Sequence, residues 1–279
     1  MAEASVGAQD RSAGGADGAD DVLVDERDGV LVIRLNRPRV RNALTRGTAE
    51  RLAAALDELD ARPDISVGVL GGEGRCFCAG MDLSAFARGE RASLPGRGFG
   101  GLTEAPPVKP LIAAVEGAAV GGGLELVLAC DLVVAASDAV FSLPEVRRGL
   151  AAAAGGLLRL PRAIPPNIAM EMALTGEPIS AQRAYDFGLV NRLALPGTAI
   201  DAAYELAKTI AANTGRSVAA SKQVLAGARD RRLADEFHRQ REVLAPLLES
   251  ATAREGAKAF VDGRAAGRSG GQPPAAGRP

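Results

Sequence analysis

The chain has no tryptophan, two tyrosines, three cysteines and one histidine among its 279 residues. Each scarcity removes a class of chemistry. The one histidine, His238, lies in the charged stretch EFHRQRE and reads as an exposed helix residue. Ser-His and Cys-His nucleophilic machinery therefore has no base to draw on. Cys76, Cys78 and Cys130 make no disulfide framework and suit a reducing cytoplasm. Cys76-Phe77-Cys78 is not a metal-ligand spacing, so no metal site is expected. The formal net charge is −1, which gives no charge excess for nucleic acid or an anionic membrane. No apolar run approaches the roughly 20 residues that a membrane helix needs.

What remains is a globular composition, 47% apolar and 24% charged, on a chain long enough for a full hydrophobic core. Residues 1–21 are rich in Gly, Ala and Asp. They lack the basic start and apolar segment of a secretory signal, and read as a disordered tail, as do residues 265–279. VLVDERDGVLVIRLN (22–36) is two β-rich runs about Asp28-Gly29, a hairpin signal. Leu52, Leu56 and Leu59 recur at helical spacing, with Thr45 or Thr48 as N-cap and Pro63 as the stop. ISVGVL (65–70) and PLIAAVEG (110–117) read as buried strands, and DLVVAAS and AVFSL as two more. Residues 88–107, rich in Gly, Pro and Arg, read as a mobile surface loop with a helical turn near GLTE.

Strands alternating with helices argue an α/β core. After Pro144 helices dominate: NIAMEMALTG, then SAQRAYDFG between Ser180 as N-cap and Gly188 as stop, then 199–213, 217–228 and 231–249. The division expected is a core over 22–195 and a helical region over 196–264.

One carboxylate is out of place. In GGGLELVLACD (121–131), Glu125 sits on a predicted helix where it shares a face with Gly121, Gly122, Leu128, Ala129 and Leu132, while the other faces carry Leu124, Leu126, Val127 and Cys130. Two readings stand. Glu125 projects from a frayed end or pairs with an arginine; or burial tunes it for proton transfer. The glycines before it favour the second, because a helix N-terminus stripped of side chains lets a ligand approach its free N–H groups. The dinucleotide pattern G-x-G-x-x-G and the P-loop Lys-Ser/Thr are both absent there, which leaves an N–H donor aimed at a carbonyl oxygen. CFCAGMDL (76–83) is a second strand-to-helix turn able to supply another such donor. Glu145, after Pro144 in FSLPEVRRGL, is either an ordinary first-turn helix glutamate or a second carboxylate returning to the same cleft.

FCAGMDL (77–83), PLIAAVEGAAVGGGLELVLACD (110–131) and FSLPEVRRGL (141–150) together resemble the crotonase, or enoyl-CoA hydratase, superfamily. NRPRVRNAL (36–44), LTGEPISAQRAYDFGLVNRL (174–193) and EGAKAF (255–260) resemble its flanking motifs, so the likeness spans roughly 22–264. The resemblance implies a spiral of ββα units with a helical C-terminal region used for trimerisation. It implies an oxyanion hole from the backbone N–H groups of Met81 and Gly122, and catalysis by Glu125 and Glu145. It implies CoA and substrate contacts at Arg39, Val40, Ala79, Asp82 and Leu83. The reaction implied is addition of water across the 2,3 double bond of a 2-enoyl-CoA. The resemblance implies no cofactor beyond the CoA of the substrate, and a cytoplasmic homotrimer or homohexamer without nucleic-acid or membrane partners.

The chain departs from the family at two places. Ser84 stands where a lysine is frequent, and FVDGR (260–264) has Gly263 at another lysine position, with Arg264 next to it. GFGGLTE (98–104) and GLLRLPRAIPPNIAMEMALTG (156–176) look most like crotonobetainyl-CoA hydratases, which gives an alternative substrate. Enoyl-CoA isomerisation and a non-enzymatic RNA-binding or scaffolding homologue are further alternatives; near-neutral charge and retention of both glutamates argue against the last. A quaternary ammonium calls for aromatic faces or a carboxylate. Phe86 and Phe99 are the aromatics of the 84–107 loop, with Glu90 and Glu104 as possible charges, while Tyr185 and Tyr204 read as packing residues.

Overall fold

A computed structural model describes residues 21–228 and 233–255. The tails predicted over 1–21 and 265–279, and the EGAKAF and FVDGR motifs, lie outside these residues almost entirely, as does the His238 side chain.

The chain opens with the expected hairpin, β1 (Val22–Arg27) and β2 (Val30–Leu35), in antiparallel register with Arg27 opposite Val30. Asp28 and Gly29 both take positive φ, 51° and 74°, the two-residue turn that follows strand twist. Helix α1 (Arg46–Ala61) starts at Thr45, whose hydroxyl accepts from Thr48 N–H, and buries Leu52, Leu56 and Leu59. β3 (Val67–Gly72) follows, then α2 (Leu83–Ala87), the short strands β4 (Ser93–Leu94) and β5 (Gly98–Phe99), and β6 (Leu111–Val115). Next come β7 (Ala118–Val120), α3 (Gly122–Ala129), β8 (Leu132–Ala136) and β9 (Val140–Ser142).

The principal sheet runs β1-β2-β3-β6-β8 and closes on β11 (Arg192–Ala194). Every pair after the hairpin is parallel. A parallel sheet covered on both faces demands continuous apolar strands, which is why β2, β3 and β6 read as unbroken hydrophobic runs. The pleat sorts them. Leu31, Ile33, Leu35, Leu70, Leu111, Ala113 and Val115 face the cluster that includes α1 and α3. Val30, Val32, Val67, Val69, Ile112, Ala114 and Val134 face α7 (Ala199–Ala211). A second sheet, β7-β9-β10 (β10 is Ile179–Ser180), stacks the next layer of the spiral, with β7 and β9 parallel.

Helices α4 (Gly156–Ala163), α5 (Pro166–Thr175) and α6 (Ala181–Asp186) precede β11. After α7 come α8 (Gly215–Ala228) and α9 (Leu233–Leu248), which contact each other. Ser180 caps α6 as expected, accepting from Arg183 N–H.

Three expectations need correction. Residues 98–103 are not a mobile surface segment: all six are buried. Gly98, Gly100 and Gly101 have positive φ. A Cβ on Gly100 would lie 2.8 Å from Leu126, and one on Gly101 2.6 Å from Ala53, so the glycines let the loop lie flat on α1 and α3. α4 was not anticipated as a helix. Gly155 and Gly156 open it and Pro161 lies inside it, so its local signal is that of a loop, while Gly156 and Leu160 are buried by tertiary packing. Tyr185 is 46% exposed and not a packing residue; Tyr204 is buried and its hydroxyl donates to Asp28.

Candidate active site

The loop 76–83 crosses the N-terminal end of α3. Gly80, at φ +88°, approaches so closely that a Cβ would lie 3.0 Å from both Gly122 N and Val120 O. Cys78 pairs with Ala119 in an isolated parallel bridge and Leu44 with Met81 in another. In the second, Leu44 N–H donates to Gly80 O and Asp82 N–H to Leu44 O. Leu44 thus uses the residues flanking Met81, which turns the Met81 N–H the other way. Gly122 is the first residue of α3, where no intrahelical acceptor exists for its N–H. The chain therefore brings Met81 and Gly122 to one place.

Asp82 caps α2: its carboxylate accepts from Ser84 N–H at 3.0 Å and Ala85 N–H at 3.1 Å. It also receives Arg37 Nη1 at 3.2 Å. These bonds commit the Asp82 side chain to the loop's own geometry. Arg39 and Val40 stand exposed on a 3₁₀ turn over Pro38–Val40, and Leu83 is exposed at the start of α2. The two segments are joined by Ala79 N–H to Arg41 O and by the Leu44 bridge. Buried Asn42 fastens the turn from beneath, donating to Glu73 O and Cys76 O. Arg39, Val40, Ala79 and Leu83 thus border one surface beside Met81.

Glu125 does not project from a frayed end: it lies in the first turn of α3, 3% exposed. Its Oε1 accepts from Ala154 N–H at 2.7 Å and Gly156 N–H at 2.9 Å. Burial raises its pKa above the ordinary glutamate value, and these two donors with the Arg159 charge pull the other way. The 154–156 turn went unrecognised from sequence. Its only signal is Ala-Gly-Gly, with Gly155 at φ +97°.

Glu145 sits in a 3₁₀ turn, Pro144–Arg148, directly after β9. Its Oε1 lies 2.9 Å from where a Cβ on Gly121 would stand, beside the α3 N-terminus. Its Oε2 is buried with no hydrogen-bond partner among the described residues. Its pKa is also raised, first by burial and then by the charge on Glu125. The structure thus gathers Met81, Gly122, Glu125 and Glu145 around the end of one helix.

Beyond Glu145 lies a cavity of about 430 Å³ between the 144–148 turn, α4 and α5. Apart from Glu145 its lining is aliphatic, with Leu143, Leu157, Leu160, Met170 and Leu174 the largest side chains. Phe99 is buried with its ring edge against Gly122, where a Cβ would meet Cε1 and Cζ at 2.6 Å. The Phe86 face is covered by Arg91, whose guanidinium carbon is 4.2 Å from the ring centroid. Among the described residues no group of three or more His, Cys, Asp or Glu is placed to hold a metal ion. No described helix is long and apolar enough to cross a membrane.

A spiral α/β core that brings a buried and a half-buried glutamate to one glycine-rich helix end is a crotonase-type arrangement. Residues 25–267 match the family model for enoyl-CoA hydratase/isomerase, and the chain belongs to that family. It is an enzyme of the family, a hydro-lyase acting on a CoA thioester. Its sequence is 37% identical over 246 residues to the carnitinyl-CoA dehydratase of Proteus mirabilis, covering 85% of this chain and 94% of that one. Its fold matches an enoyl-CoA hydratase from Mycobacterium marinum with TM-score 0.85 at 53% identity, over 88% of this chain and 96% of that one. A carnitinyl-CoA hydratase from Mycobacterium avium matches with TM-score 0.72 at 41% identity, over the same shares of each chain, 88% and 96%.

Proposed function

We propose that the enzyme adds water across the 2,3 double bond of a 2-enoyl-CoA. The observation that carries this is the meeting of two desolvated glutamates at one helix N-terminus. In this reading the thioester oxygen accepts from Met81 N–H and Gly122 N–H, which stabilise the enolate-like transition state; one such donor is worth about 2.7–4 kcal/mol in enzymes where it has been removed. Glu125 takes a proton from a water whose oxygen bonds to the β-carbon. Glu145 gives its proton to the α-carbon. The environments suit that division. Two N–H donors and Arg159 favour the charged form of Glu125, whereas Glu145 has an orphaned buried oxygen and a like charge nearby, which favour its protonated form. Arg39, Val40, Ala79 and Leu83 border the CoA path, with Asp82 shaping the loop rather than touching the ligand.

For the acyl group, the relatives support crotonobetainyl-CoA, the dehydrated partner of carnitinyl-CoA, better than a generic enoyl-CoA. One observation favours a second reading, a plain aliphatic enoyl-CoA: the cavity beyond Glu145 is aliphatic, and neither Phe86 nor Phe99 lines it. The test is kcat/KM for crotonobetainyl-, crotonyl- and longer enoyl-CoAs at one pH, followed by loss of enoyl-thioester absorbance. A preference of about tenfold or more for crotonobetainyl-CoA, equivalent to about 1.4 kcal/mol in transition-state binding, selects the first reading. The reverse preference selects the second, and no hydration of any member removes both.

A further inference from the structure

Arg159, whose charge acts on Glu125, also touches both segments that enclose that carboxylate. It lies on the first turns of α4, half-buried. Its Nη2 donates to Thr103 O. Its Nη1 lies over Gly155, where a Cβ would collide with it. Gly155 separates the two residues, Ala154 and Gly156, whose N–H groups hold Glu125 Oε1. Thr103 ends the buried loop that carries Phe99: its Oγ1 accepts from Phe99 N–H at 2.9 Å, and the Phe99 ring lies on Gly122. One guanidinium therefore braces the turn that grips the carboxylate and ties it to the loop lying on the oxyanion end of α3.

The charged surroundings make this placement consequential. The elements around Glu125 bring Glu145 and Arg148 on the 144–148 turn, exposed Glu104 beyond Thr103, and the buried Cys78 thiol from the 76–83 loop. Glu145 is a like charge when ionised, and the rest of α3 is apolar. We propose that Arg159 is a positioning residue for Glu125, holding the 154–156 donors in place and bringing a positive charge to the carboxylate. A planar fork suits the task, since one edge can bond a carbonyl while the other covers a glycine. The inference rests on the reading of Glu125 as the base, and it concerns how that base stays ionised in an apolar setting. The Arg159 charge lowers the Glu125 pKa against the effect of burial, in line with the geometry.

The experiment is the pH profile of kcat/KM for wild type, Arg159→Lys and Arg159→Gln, on whichever enoyl-CoA the wild type hydrates. Folding is checked by circular dichroism and size. If Glu125 must be ionised, removing the positive charge raises its pKa and moves the acid limb to higher pH. Arg159→Gln is expected to lose about tenfold more rate near pH ~6 than near pH ~8. Arg159→Lys keeps the charge without the fork and is expected to show a smaller shift in the same direction. A uniform loss at all pH values, with the limb unmoved, means a structural brace only and overturns the proposal, as does an unchanged profile. If Arg159→Gln does not fold, the Arg159→Lys limb decides alone: coincidence with wild type overturns the proposal. A wild type that hydrates no enoyl-CoA defeats the proposed function instead, so the two failures are distinguishable.

Discussion

At the residue scale, Glu125 and Glu145 are two carboxylates whose folded environments disfavour their charged forms. Glu125→Gln and Glu145→Gln are each expected to lower kcat about 10²–10⁴-fold with folding intact; near-normal turnover in either would remove that residue from the mechanism. The same burial gives a stability prediction with a definite sign. A carboxyl whose folded pKa lies above its unfolded value contributes fully below the unfolded pKa and loses that contribution as pH rises through the folded one. At neutral pH both glutamates therefore weaken the fold. Each Gln variant is expected to melt higher than wild type at pH ~7, with the gap closing by pH ~3, below the unfolded pKa, where the carboxyls are protonated in both states. A Gln side-chain oxygen can still accept from Ala154 and Gly156, so the Glu125 variant keeps its anchors. Equal melting temperatures at both pH values would show that burial is not what shifts these groups.

At the scale of elements, α8 has one polar side-chain attachment to the core among the described residues. Lys222 Nζ donates to Asp131 Oδ2 at 2.6 Å and to Lys109 O at 2.9 Å, and Asp131 Oδ2 also accepts from Leu111 N–H at 2.8 Å. This links α8 to the starts of β6 and β8. The Asp131 side chain remains 30% exposed, so solvent screens the pair and its value is about 0.2–1 kcal/mol. Lys222→Met is thus expected to leave global stability within that range while speeding amide exchange in α8; unchanged exchange there would place the attachment elsewhere. The elements also show where local pattern was enough. α1 was legible because its cap and its leucine spacing agree. α4 was not, because glycine and proline oppose the helix locally and only its burial against α3 and α5 stabilises it. The 98–103 loop failed for the same reason: its glycines serve close packing rather than freedom.

At the scale of the whole molecule, apolar side chains away from the cavity beyond Glu145 stand exposed: Leu158 on α4 is 70% exposed and Leu195, after β11, is 74%. A further pair, Leu225 and Leu248, is exposed on α8 and α9. Surfaces of this kind mark association, and we propose that they meet other copies in a trimer or a dimer of trimers. Light scattering is expected to give three or six chains per particle; a monomer would contradict it. The sequence by itself determined the α/β core, because buried strands written as continuous apolar runs alternate with helices, while the parallel pairing of those strands came only with the fold. The sequence also determined the motif set, because a backbone donor needs glycine nearby and a buried acid is conspicuous among leucines. Only the tertiary structure decided what holds Glu125. Its partners, Ala154, Gly156 and Arg159, come from a segment about thirty residues away, and two of them act through backbone N–H groups that every residue but proline carries. Nothing in the identity of Ala154 or Gly156 announces that role; it exists only once α4 is folded against α3.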